Sequence, residues 1–96
     1  MAAIVEHVYF QGKEENIRGL LREYSEAGNL ALVLAEDGCL QFEFFFSASN
    51  PNRAVLLEHW SSAADLENHH STAMMQALLD LVQKYEISLA VDQYKV

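Results

Sequence analysis

The stretch Cys39-Leu40-Gln41-Phe42-Glu43-Phe44-Phe45-Phe46-Ser47, continued by Ala48-Ser49-Asn50-Pro51-Asn52 and then Arg53-Ala54-Val55-Leu56-Leu57-Glu58-His59-Trp60, decides the fold. Its first part alternates, putting Leu40, Phe42, Phe44 and Phe46 on one side of a strand. Ser49-Asn50-Pro51-Asn52 is a turn, and Pro51 is the only proline of the chain. Arg53 to Trp60 reads as a second strand, and so short a link makes the two an antiparallel hairpin. Ser61 or Ser62 can then cap a short helix, with Asp65 three residues after Ser62 at capping-box spacing.

Upstream, residues 3–10 form an apolar strand that Gly12 ends. From Lys13 the period changes: Ile17, Leu20, Leu21 and Tyr24 fall on one helical face, and Glu14 and Glu15 complement the dipole of the first turn. Gly28-Asn29 interrupts the pattern, Leu30 to Ala35 resumes it as a helical stretch, and Glu36-Asp37-Gly38 closes it. Downstream, a second long helix starts near Ser71-Thr72 with Met75, Leu78, Leu79 and Val82 expected inside. Ile87, Leu89 and Val91 then alternate through a last strand ending near Tyr94. Strand, helix, strand, strand, helix, strand is a split βαβ order. It predicts an α+β antiparallel sheet with the helices on one face, in one domain over residues 1–96. The opposite sheet face is left bare, and an apolar face of that size marks an interface, here with a second copy.

Composition excludes several partners. Lys and Arg number 6 against 14 Asp and Glu, a net charge of −8, which disfavours nucleic acid and anionic membrane surfaces. No apolar run approaches membrane-spanning length, and the N-terminus lacks the basic and apolar regions of a secretory leader, so a cytoplasmic location is the expectation. Cys39 stands alone, without a partner for a disulfide or for a thiolate zinc site.

The segment Val55 to His69 resembles the antibiotic biosynthesis monooxygenase domain family, whose strand ends in Glu-x-Trp and whose next helix carries a Leu and, three residues on, a His. Here these are Glu58, Trp60, Leu66 and His69. Gly12-Lys13-Glu14-Glu15 and Gly38-Cys39-Leu40 are similar to the family's entries into its first helix and second strand, so the resemblance runs from about residue 3 to 94. It implies a ferredoxin-like fold that pairs into a dimeric α/β barrel. Characterised relatives oxidise quinols or polycyclic phenols with molecular oxygen, using no metal or flavin cofactor. Others degrade haem, isomerise small phosphorylated sugars or bind ligands. Three departures stand out. Thr72-Ala73-Met74-Met75 replaces a stretch that often holds a second histidine, and the region around Gly28-Asn29 is longer. Val5, His69 and Leu79 stand where haem degraders carry Asn, Trp and His, which speaks against haem degradation.

Oxidising a phenol with oxygen needs an apolar pocket and a base that favours the phenolate, and histidine suits the proton step. His69, at the signature position, reads either as that base or as a packing residue fixing the strand–helix corner. His7 is expected on the helix side of the first strand with Val5 and Tyr9, as a pocket base or a core residue. Trp60 reads as a stacking platform for a planar ring or as core. His70 should face solvent and His59 the opposite side of its strand from Trp60. No spacing among the four histidines forms a metal motif. Glu58 and Glu43 sit in strand interiors and invite pairing, with Arg53 or across a dimer. The phenylalanine row reads as interface or core, and Met74 and Met75 as pocket wall or core filler. The leading expectation is a cofactor-independent monooxygenase acting on a quinol or phenolic aromatic. A non-catalytic ligand-binding or stress-associated dimer is the alternative. A small-sugar isomerase comes third, weakened by the lack of a glycine-rich phosphate loop around the few cations.

Overall fold

A computed structural model, describing residues 2–96, orders the chain as β1 (Ile4–Gln11), α1 (Glu14–Glu26), α2 (Asn29–Leu34), β2 (Cys39–Phe46), β3 (Arg53–Trp60), α3 (Ala63–His70), α4 (Ala73–Lys84) and β4 (Ser88–Lys95). The strands form one antiparallel sheet in the order β2-β3-β1-β4. The β2–β3 hairpin closes as the turn residues predict: Asn52 N–H donates to Asn50 Oδ1 at 3.0 Å, and Arg53 N–H donates to the Asn50 carbonyl at 3.1 Å.

Residues paired across neighbouring antiparallel strands share a face, so the register sorts the sheet into two sides. On one lie Ile4, Glu6, Val8 and Phe10 of β1, paired with Trp60, Glu58, Leu56 and Ala54 of β3; Phe42, Phe44 and Phe46 of β2 face Glu58, Leu56 and Ala54. All helices cover this side, where Ile17, Leu20, Tyr24, Val33, Leu66 and Leu78 complete the core. The other side carries Val5, His7 and Tyr9, the residues paired with His59, Leu57 and Val55, and among the described residues no helix covers it. We call it the open face.

Three expectations are corrected. Leu40 leaves the phenylalanine row: the register slips between Cys39 and Gln41, and the bulge turns Leu40 outward to 59% exposure. In α4, Thr72 Oγ accepts the Met75 N–H and sets the helix phase. Met74, Leu78, Leu81 and Tyr85 then pack inward and Leu79 turns to solvent at 39% exposure. His7 lies on the open face. Both phases of β1 contain apolar residues, so its alternation does not choose a side. Packing chooses the phase that buries Ile4, Val8 and Phe10 against the helices. Among the described residues no helix is long and apolar enough to cross a membrane.

Candidate functional site

The site is assembled at the end of β3. Alternation aims Glu58 and Trp60 together at the helix side, and the Trp60 indole N–H donates to Glu58 Oε1 at 3.0 Å. The chain then turns into α3, where Ser62 Oγ accepts the Asp65 N–H at 3.2 Å as its cap. One helix length later, His69 folds back over Trp60. Their ring centroids lie 4.7 Å apart at 30°, and the Phe42 ring meets His69 edge-on at 5.6 Å. The Thr72 hydroxyl donates to the His69 carbonyl at 2.7 Å and holds the end of α3 in place.

A second segment reaches the same point from the other side. Gly38, at φ +78°, sits where a side chain would collide with Asp65, and its carbonyl accepts the Ser61 N–H at 2.8 Å. This clamp lays the loop after α2 against the start of α3 and delivers Glu36 to His69, with Oε2 2.8 Å from Nδ1. A carboxylate only accepts, so Nδ1 carries the proton and Nε2 is the nitrogen turned toward Glu58, 3.9 Å from Oε1 and too far for a hydrogen bond. Glu6 faces Glu58 from β1, and Gln93 of β4 donates to Glu6 Oε2 at 2.8 Å.

Glu36 and Glu58 therefore flank His69, and Glu6 faces Glu58 from the next strand; Glu6, Glu58 and His69 are all buried, His69 to 1% exposure. Burial raises the Glu58 carboxyl to about 7; the Trp60 N–H opposes that rise, while the Glu6 and Glu36 charges add to it. Burial also pushes up the Tyr24 phenol, helped by Glu58 and Glu36, and its hydroxyl donates to the Met74 carbonyl at 3.1 Å. Cys39 is held as a thiol by burial and the same two carboxylates, which argues against a nucleophilic role. Among the described residues, no group of three His, Cys, Asp or Glu side chains is placed to hold a metal ion.

Of the residues singled out in the sequence, the structure brings His69 and Trp60 together and leaves His7 apart. His7 packs on the open face against Tyr94 and Tyr9, at ring distances of 5.3 and 6.2 Å. His59 shares that face, with its Nε2 buried and unpartnered, and His70 is exposed. Arg53 pairs with neither glutamate; it lies over the Tyr9 ring at 5.7 Å, while the exposed Glu43 accepts from Gln41 at 3.2 Å. Glu6 and Glu36 are the site residues that sequence reasoning missed. Glu6 had a signal, as a lone carboxylate in phase with Ile4, Val8 and Phe10. Glu36 had none, since 33 residues separate it from His69.

Beside this cluster runs an apolar groove of about 570 Å³ between α1, α2 and the edge strand β2. Leu21, Leu30, Leu34, Leu40, Phe42 and Phe44 line it together with the polar Ser25, Gln41 and Glu43. Phe42 is shared: it lines the groove and its ring also meets that of His69. Neither His69 nor Trp60 lines the groove itself.

The fold recurs in solved structures. A conserved protein of unknown function from Bacteroides thetaiotaomicron superposes with a TM-score of 0.86 at 21% identity, over 99% of this chain and 98% of that one. A candidate antibiotic biosynthesis monooxygenase from Deinococcus radiodurans gives 0.83 at 18%, over 97% and 91%. One from Nitrosomonas europaea gives 0.80 at 23%, over 98% and 88%. No protein of curated function matches the sequence. The family profile described as antibiotic biosynthesis monooxygenase matches residues 3–81, from the first strand through most of the last helix. With the Glu58-x-Trp60 strand end and His69 lying inside that match, the chain belongs to the antibiotic biosynthesis monooxygenase family.

Proposed function

We propose that the protein is a cofactor-independent monooxygenase that oxidises a quinol or phenolic aromatic with molecular oxygen. Family membership supports a monooxygenase-like function. The observation carrying the finer reading is the apolar groove backed, through Phe42, by a buried acid–base cluster. A flat phenol fits such a groove, and a neighbouring base favours its anion. The anion passes one electron to oxygen, and the resulting radical and superoxide combine as a peroxide on a ring carbon. Loss of water leaves a carbonyl there, so the substrate supplies every electron; one oxygen atom stays and the other leaves as water. In this reading His69 and Trp60 belong to the site, and His7, on the other sheet face, takes no part in proton transfer. A second copy covers the open face, where Phe45 and Tyr94 stand 42% and 46% exposed.

The second reading, a ligand-binding dimer without chemistry, draws on one feature: Phe42 closes the groove from His69, and Trp60 is fully buried. Oxygen uptake by metal-stripped protein with dihydroxynaphthalenes and anthrone-like phenols separates the two. Uptake above the uncatalysed rate that falls at least tenfold in His69→Ala supports the oxygenase. Binding of the same compounds without uptake moves the assignment to the binding module.

A further inference from the structure

We propose that Glu58 is the group that takes the phenolic proton in this site, with Trp60, whose indole N–H holds Oε1, as the residue that positions it. The inference rests on the phenol reading above and adds a residue to it. His69 is poorly placed to be that base, because Nδ1 is held by Glu36, and Trp60 and Phe42 cover its ring. Glu58 is the cross-strand neighbour of Phe42, which lines the groove, so for a phenol in the groove to reach the carboxylate the Phe42 side chain must move aside. Trp60 occupies Oε1, and the described residues supply no donor to Oε2, which stays free for a substrate hydroxyl. The like charges of Glu6 and Glu36 make a proton welcome there, and burial brings the carboxyl to about 7, where a general base is effective at neutral pH.

The proton balance closes on this one carboxylate. The phenol O–H bond breaks and a carboxyl O–H forms; after oxygen adds to the ring carbon, the carboxyl returns that proton to the peroxide anion. The carboxylate then removes the hydrogen on the same carbon as hydroxide leaves, and passes it on to make water. His69 Nε2, 3.9 Å away, faces Glu58 throughout as a polar neighbour.

The test uses 4-nitrophenol, colourless when neutral and yellow as its anion, added to the intact protein just below neutral pH. Binding is read from the emission of Trp60, the only tryptophan. With each protein saturated by the probe, we expect the bound probe to be yellow in the wild type and colourless in Glu58→Gln. Equal ionisation in the two proteins overturns the assignment to Glu58 and leaves the phenol reading standing. No binding to the wild type overturns the phenol reading and this inference together. If Glu58→Gln does not fold, Glu6→Gln decides: removing that neighbouring charge should reduce the yellow fraction, and an unchanged fraction overturns the proposal.

Discussion

Trp60 and Glu58 stand two residues apart on one strand, and the indole N–H of the first is bonded at 3.0 Å to the carboxylate of the second, with both side chains buried. A strand repeats every two residues, so the Glu-x-Trp spacing puts both on one face by geometry alone. The pair satisfies the indole donor and gives the carboxylate one of the few donors in a site crowded with negative charge.

Glu58 should make stability depend on pH. Its carboxyl titrates near 4.5 when exposed and near 7 in the fold, so the native state binds the extra proton between those values. Stability therefore falls as pH rises across that window, by roughly 3 kcal/mol for this group. Urea denaturation of wild type and Glu58→Gln at pH 4 and pH 8 isolates the effect from the histidines. The variant should gain on the wild type by about 2–3 kcal/mol at the higher pH; a constant difference would sink the assignment.

His69→Ala should cost about 2–4 kcal/mol, because it empties the space between Trp60 and Phe42 and leaves Glu36 without its donor. The adjacent His70→Ala removes an exposed ring and should stay within about 0.5 kcal/mol. Thermal denaturation of the two variants side by side checks this. Equal losses would mean that the stacked ring contributes nothing particular.

Gly38→Ala should be far costlier than Gly28→Ala. Both glycines have positive φ, +78° and +85°, which by itself costs an L-residue about 1 kcal/mol. Gly28 has open space around it, whereas a Cβ on Gly38 would strike Asp65, itself held by Ser61 and Ser62. We expect about 1 kcal/mol at Gly28 and at least 2 at Gly38, measured by chemical denaturation. Similar values would show that the Gly38–Asp65 clamp yields easily.

Phe45→Asp tests the covered open face. A carboxylate among Tyr9, Val55 and Leu57 should be tolerated by a monomer and rejected by a sheet-to-sheet dimer. Light scattering should show the wild type at twice the 10.8 kDa chain mass and the variant at one chain mass, with unchanged far-ultraviolet circular dichroism. A wild type that is already monomeric would remove the second copy from the proposal.

Much of this molecule was decided by short-range pattern. Alternation from Phe42 to Phe46, the Asn50-Pro51 turn, and the Ser62 and Thr72 caps specify the hairpin and both later helices, because each depends on residues within a few positions. Glu58, Trp60 and His69 were singled out through the family resemblance, and the fold brings the three side chains to one place. Tertiary structure decided whatever turned on choices between equivalent faces or on distant partners. Packing against α1 and α4 turned Ile4, Glu6, Val8 and Phe10 inward and His7 outward, although both phases of β1 are apolar. The bulge at Cys39/Gln41 expelled Leu40, and the Gly38 clamp carried Glu36 to His69. Periodicity places a residue on a face of its own element; only the packing of elements says what that face will meet.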